Sequence, residues 1–329
     1  MPLSFPYNAY ALALLAGFSS TLLSLPLWRA WCRRVGLLDQ PGHRKIHADA
    51  VPLAGGFAVL TGLLVPLVGG WCVLQSGILP DATTTLFSHG FEKRGLQIAA
   101  IALGALCLVV LGWLDDKHEL KAAPKFGGQV LVALLVAGAG VRITLFVPNP
   151  LVNYLFTVGW ILTVITAVNI FDNMNGLCAG VGAICAAGFA AVGAMHGHYL
   201  VASLGLLIAG ALLGFLPFNY PRASAFLGDS GSHLVGYLLA VVAILPHFYS
   251  SANPRPIAVA APLIMLSVPL IDLVIVVLIR YRLGVPIWVG DNNHLSHRLV
   301  RRGWSKPKAV ALIWAMTAGS VLMGIWLAR

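Results

Sequence analysis

Long apolar runs alternate with short polar breaks along most of the chain. Ten such runs lie near residues 9–27, 54–79, 95–114, 127–147, 151–168, 178–195, 199–216, 232–249, 257–279 and 308–327. A bilayer core takes about 20 apolar residues per helix, and each run is near that length. The pattern predicts an all-α polytopic integral membrane protein with about ten transmembrane helices. Only "VPNP" separates the fourth run from the fifth. No repeat or low-complexity segment interrupts the series, so residues 1–329 are expected to form a single transmembrane domain. The opening "MPLSFPYN" lacks the basic start of a signal peptide, and the first run is long enough to span, so it is expected to be a retained helix.

Composition agrees with the pattern. The chain is 59% hydrophobic and 10% charged, whereas soluble domains carry roughly 25% charged residues. Its net charge of +10 does not require nucleic acid, because basic residues of membrane proteins gather in cytoplasmic loops. With the N-terminus outside, five loops would face the cytoplasm: 28–53, 115–126, 169–177, 217–231 and 280–307. These loops, with Lys308 at the edge of the last, hold sixteen of the 21 Lys and Arg residues. That asymmetry predicts both termini outside. The five cysteines are scattered without metal or redox spacing, and are expected to pack as small hydrophobes.

The same five loops hold nearly all the candidate chemistry. "GWLDDKHEL" puts Asp115 and Asp116 side by side at the end of an apolar run, where paired carboxylates could share a divalent cation against phosphate oxygens. "VNIFDNMNGL" offers Asn169, Asp172 and Asn173, which share a face if the preceding helix continues; a plain Asn-rich turn is the alternative. "FNYPRASAFLGDSGS" carries Asn219 and Asp229. Its Gly/Ser backbone ahead of a helix suits an anion, and Asp229 either holds a metal or caps that helix. "DNNHLSHRLVRRG" places His294 and His297 three apart, beside Arg298. Without a third ligand, phosphate or sugar recognition fits better than zinc. "HRKIHADAVPLAGG" contributes Arg44, Lys45 and His47. Asp272 falls inside the ninth run, about eight residues or roughly 12 Å from its inner end. It is either functional or a buried structural hydrogen-bonding group.

Taken together and in order, "RKIH…VPLAGG", "GWLDDKHEL", "KFGGQ", "VNIFDNMNGL", "FN…FLGDSGS" and "DNNHLSHRL" resemble the polyprenyl-phosphate N-acetylhexosamine-1-phosphate transferases, relatives of the phospho-MurNAc-pentapeptide translocases. The resemblance spans roughly residues 28–310. It implies transfer of a sugar 1-phosphate from a UDP-N-acetylhexosamine to a polyprenyl phosphate, release of UMP, and dependence on Mg2+, with Mn2+ as an alternative. The entry and closing motifs look more like the branch that uses UDP-N-acetylglucosamine. The implied setting is a bacterial inner membrane, with a cytoplasmic active site starting cell-envelope glycan synthesis. A homodimer is allowed, and no nucleic-acid partner is implied.

By this resemblance Asp229, with Asp115 or Asp116, would hold the metal, and Asp115, Asp116 and Asp172 would be catalytic. Lys45, His47, Lys125, Asn169, Asn173, Asn175, Asn219, His294, His297 and Arg298 would contact substrate. Two departures stand out. Asn175 takes the place of a second Asp in loop three, and Ser296 takes the place of a middle His in loop five. Both bear on sugar preference more than on reaction type.

Rival readings fit less well. A secondary transporter should place ionisable groups near the midplane, where only Asp272 stands. An intramembrane Mg-dependent prenyltransferase needs a second Asp-rich motif, for which "FDNMN" is a poor match. A non-enzymatic scaffold does not need four polar motifs on one face.

Overall fold

A computed structural model describes residues 4–40, 50–76, 81–144, 149–246, 248, 255–286 and 289–329, with residues 81–93 described by backbone alone. Each of the ten predicted runs contains helix among the described residues. In chain order the long helices are α1 (Tyr7–Val35), α2 (Gly55–Gln75), α3 (Asp81–His118), α4 (Ala122–Gly138), α5 (Pro150–Phe171), α6 (Leu177–Met195), α7 (Tyr199–Asn219) and α8 (Gly228–Ile244). A 3-10 turn (Pro256–Ala260) leads into α9 (Ala261–Met265) and α10 (Ser267–Arg282), then α11 (Leu295–Arg301) and α12 (Lys306–Ala328).

Seven of these helices are long and apolar enough to cross a membrane, and an eighth crossing results if the pair around Leu266, bent by 70°, counts as one. The shorter apolar helices α4 and α8 have 17 residues each, at the lower limit of roughly 17 for a span.

Several expected boundaries shift. The Asp115–Asp116 pair lies in the last turn of α3 rather than in a loop. Helix α4 stops at Gly138 rather than near 147. The segment after Asn169 does not continue as helix: α5 ends at Phe171, and Asp172 leaves it with φ −78° and ψ 62°. The all-α expectation also misses a two-residue antiparallel ladder, β1 (Leu38–Asp39) with β2 (Val51–Pro52), pairing Leu38 with Pro52 and Asp39 with Val51. The ladder closes the loop carrying Lys45 and His47, which lie outside the described residues.

Helix ends follow local chemistry. Asn149 caps α5, its side-chain oxygen accepting from the Leu151 N–H at 2.9 Å, and Pro150 fills the first helical position. Gly36, with φ 72°, ends α1 in the left-handed conformation that glycine adopts without a Cβ penalty.

Helix α8 is the centre of the bundle. Every residue from Ser230 to Ile244 is buried, as expected of a helix that is apolar all round. It packs against α2, α3, α5 and α6. Its N-terminal turn is gripped on two sides: a Cβ at Gly56 of α2 would lie 2.5 Å from the Gly231 nitrogen, and a Cβ at Gly112 of α3 would collide with the Ser230 backbone. Backbone bonds add to the grip. The Gly55 N–H donates to the Phe226 carbonyl at 2.8 Å, and the Phe226 N–H donates to the Pro52 carbonyl at 3.0 Å. The "VPLAGG" and "LGWLDD" motifs therefore meet "FLGDSGS" because only glycine lets three backbones approach so closely.

Candidate active site

The start of α8 faces a cleft of about 560 Å³ at one end of the bundle. The C-terminal ends of α3, α5 and α7, the loop before α6, the N-terminal ends of α8 and α12, and α11 supply its walls. Among the described residues five carboxylates line it: Asp39, Asp116, Asp172, Asp229 and Asp291.

The two adjacent aspartates do different things, because neighbouring residues on a helix do not share a face. Asp115 does not line the cleft and is 7% exposed, with its carboxyl beside that of Asp229. One of its oxygens accepts from the Leu120 N–H at 2.9 Å, closing the end of α3, and the other meets the Lys125 ammonium at 2.5 Å. Asp116 points at α8. Its two oxygens accept the Asp229 N–H at 2.8 Å and the Ser230 N–H at 3.2 Å, so it caps a helix that is not its own. Gly228 precedes this contact with φ 69°, and a Cβ there would lie 2.6 Å from an Asp116 oxygen.

Asp229 is the hub. Its Oδ1 accepts from Asn169 Nδ2 at 2.6 Å and its Oδ2 from Lys125 Nζ at 2.9 Å. Asn169 Nδ2 also donates to Ser232 Oγ at 2.8 Å. Lys125 thus bridges Asp115 and Asp229. One turn further along both helices, Gln129 Nε2 and His233 Nε2 lie 3.2 Å apart.

Asp172 also lines the cleft, and its carboxylate accepts no hydrogen bond from a described residue. Burial, reinforced by the charges of Asp229 and Asp116, pushes it up to about 7. Asn173, the next residue, accepts from Ser296 Oγ at 2.5 Å and so ties this loop to α11. Asn175 donates to the Pro221 carbonyl at 3.3 Å. Asn219 is a buried latch: its Oδ1 accepts from the Gly176 N–H at 2.6 Å and its Nδ2 donates to the Ala225 carbonyl at 2.9 Å.

The fifth loop divides its roles. His297 lines the cleft, and burial with the nearby His294 and Arg301 holds its imidazole below the usual range. His294 does not line the cleft. It is buried with Nδ1 at 2.7 Å from Asp272 Oδ2, while Asp272 Oδ1 accepts the Leu295 N–H at 2.6 Å. Asp272 therefore anchors α11 to α10 and orients His294. Arg298 is also outside the cleft lining.

Asp116, Asn169, Asp172, Asn173, Asn175, Asn219, Asp229 and His297 therefore gather in one cleft, and Asp115 and Lys125 stand behind it. Sequence reasoning passed over Asp39, Tyr220, Phe226, Asp291 and Lys306 as cleft residues. Asp291 was legible as an acidic residue in a polar loop. Lys306 enters the sequence pattern only as part of the basic charge of the fifth loop.

The donor set is chemically suited to a hard cation such as Mg2+: among the described lining residues it offers mostly oxygens, with one Lys, one imidazole, the weak thioether of Met174 and no cysteine. Among the described residues no group of three His, Cys, Asp or Glu side chains could by itself hold a metal. Mg2+ commonly takes only one or two carboxylates, completing its shell with water and substrate phosphates. The residues present fit that partial shell.

Comparison with known proteins agrees with the motif order. Residues 98–247 match the family model for glycosyl transferase family 4. The probable undecaprenyl-phosphate N-acetylglucosaminyl 1-phosphate transferase of Bacillus subtilis is 32% identical over 92% of this chain and 80% of its own length. The decaprenyl-phosphate N-acetylglucosaminephosphotransferase of Mycobacterium leprae is 30% identical over 97% and 83%. The undecaprenyl-phosphate alpha-N-acetylglucosaminyl 1-phosphate transferase of Escherichia coli K12 is 26% identical over 95% and 82%. With a relative this similar along nearly the whole chain, and with the motifs converging on one cleft, the protein belongs to glycosyl transferase family 4, among the polyprenyl-phosphate N-acetylhexosamine-1-phosphate transferases.

Proposed function

We propose that this protein transfers N-acetylglucosamine 1-phosphate from UDP-N-acetylglucosamine to a polyprenyl phosphate. An acceptor phosphate oxygen attacks the β-phosphorus of the nucleotide sugar. The bond from that phosphorus to the bridging oxygen breaks, and UMP leaves with the electron pair. The acceptor, donor and leaving group are all anionic, yet five carboxylates line the cleft. That mismatch is the observation that carries the reading, because it requires a cation between protein and phosphates.

Asp229 and Asp116 would hold Mg2+, which would neutralise phosphate charge and stabilise the departing UMP. Lys125 keeps Asp229 oriented and partly neutralised. Asp172 would take the last proton of the acceptor, whose second ionisation lies near pH 6. His297 and Lys306 would meet phosphate oxygens, and Asn175 the sugar. The Lys/Arg asymmetry supports ten crossings, with both termini outside and the cleft on the cytoplasmic side of a bacterial inner membrane.

The test uses the full chain purified in detergent, labelled UDP-N-acetylglucosamine, undecaprenyl phosphate and Mg2+. UMP and a labelled glycolipid should form together, and neither should form in EDTA. Formation of glycolipid only with another UDP-N-acetylhexosamine would overturn the sugar. Absence of UMP with every such donor would overturn the reaction.

A further inference from the structure

At the end of the bundle away from the cleft lies a second cavity, of about 630 Å³, bounded by α5, the end of α8 and both limbs of the bent α9–α10 pair. Its size is within the roughly 300–1,000 Å³ of small-molecule sites. Phe156, Trp160, Leu263 and Leu270 make most of its wall apolar, and Arg142 is the one charged residue among the described residues of its lining. Arg142 is held in place: its Nε donates to the Ala137 carbonyl at 2.9 Å, and its guanidinium lies 5.9 Å from the centre of the Tyr154 ring. Its two terminal nitrogens make no hydrogen bond among the described residues.

A fixed guanidinium with free donors beside an apolar trough is complementary to an anionic headgroup on a hydrocarbon chain. We propose that this cavity binds an anionic glycerophospholipid from the leaflet opposite the cleft. One acyl chain would lie along α5 and touch both limbs of the bend, and the phosphate would meet Arg142. The inference depends on the protein spanning a bilayer and not on the proposed reaction.

Two independent variants test it. Arg142→Gln removes the charge. Gly159→Leu fills the trough, since a Cβ at Gly159 meets nothing within 4 Å. Each protein is reconstituted in nanodiscs of nine parts phosphatidylcholine to one part phosphatidylglycerol, extracted into mild detergent, and weighed by native mass spectrometry. The wild type should carry phosphatidylglycerol over phosphatidylcholine by at least tenfold above the bulk ratio. Arg142→Gln should lose that preference while still binding lipid, and Gly159→Leu should lose most bound lipid. Equal phosphatidylglycerol retention by all three proteins would overturn the proposal. So would displacement of the lipid by undecaprenyl phosphate in proportion to its concentration, which would assign the cavity to the acceptor's tail. A melting temperature within a few degrees of wild type in both variants guards against misfolding.

Discussion

The carboxylate of Asp116 receives the backbone N–H of Asp229 at 2.8 Å. A residue expected to hold metal or take part in catalysis thus also closes the first turn of the helix that carries the hub of the site. Removing an N-cap acceptor costs about 1 kcal/mol. Asp116→Ala should therefore lower the melting temperature measured in EDTA, whereas Asp116→Asn, which keeps an oxygen acceptor, should largely restore it. Both variants should lose activity. An Ala variant that melts with the wild type in EDTA would show that the cap contributes nothing.

Lys125 joins Asp115 to Asp229, so its effect on turnover should depend on both. Asp115→Asn and Lys125→Met are each expected to lower kcat/KM. Their combination should fall well short of the product of the single losses, with a coupling on the order of 0.5–3 kcal/mol, the range for directly contacting groups. Strict additivity in a double-mutant cycle would mean that Asp115 acts on something other than Lys125.

The carboxyl of Asp172 is pushed up to about 7 by burial and by the neighbouring carboxylates. As a proton acceptor it works only when ionised, so turnover should rise with pH through about 7 and then level. Asp172→Asn should lose roughly 10²-fold or more in kcat, the scale of a general base, and should lose that limb of the profile. Stability should move the other way. Ionising a group whose folded pKa is raised costs the fold, so in EDTA the wild type should weaken relative to Asp172→Asn as pH rises from about 4 to about 7, and then level. Asn175→Asp, by contrast, should keep most activity. An Asp172→Asn variant with near-normal turnover would remove Asp172 from the chemistry.

The proposed crossing pattern puts Ser76, just past α2, and Ser305, just before α12, on opposite sides. Single cysteines there, in a background lacking the exposed Cys72 and Cys107, should react with a membrane-impermeant reagent from opposite faces of sealed vesicles. Labelling of both from one face would sink the ten-crossing topology and the cytoplasmic cleft with it.

The helices were legible because a bilayer imposes apolar runs of one length, and the motif order made the family legible as well. The boundaries were harder. Asp115 and Asp116 are polar, so hydropathy ends α3 ahead of them, although their backbone completes its last turn. The bend at Leu266 has no Gly or Pro at the break itself. What the sequence could not show was pairing across distance. Asp272 and His294 are 22 positions apart and meet at 2.7 Å. Asn219 looked like a substrate contact because it is an Asn in a polar loop, yet both ends of its amide are consumed by backbone. Nor does adjacency tell which way two neighbours face, which is why Asp115 and Asp116 read as one unit.

Helix α8 has no free side from Ser230 to Ile244, which makes it a mechanical shaft with the hub carboxylate fixed at its tip. A Cβ at Gly236 would lie 2.7 Å from the Ile165 Cα, and Ile165 sits one helical turn before Asn169, the residue that holds Asp229. Bulk added deep in the bundle, far from any substrate, would therefore displace both the shaft and the arm that steadies its tip. Loss-of-function changes should accordingly trace the whole length of this interior line and not cluster only around the cleft.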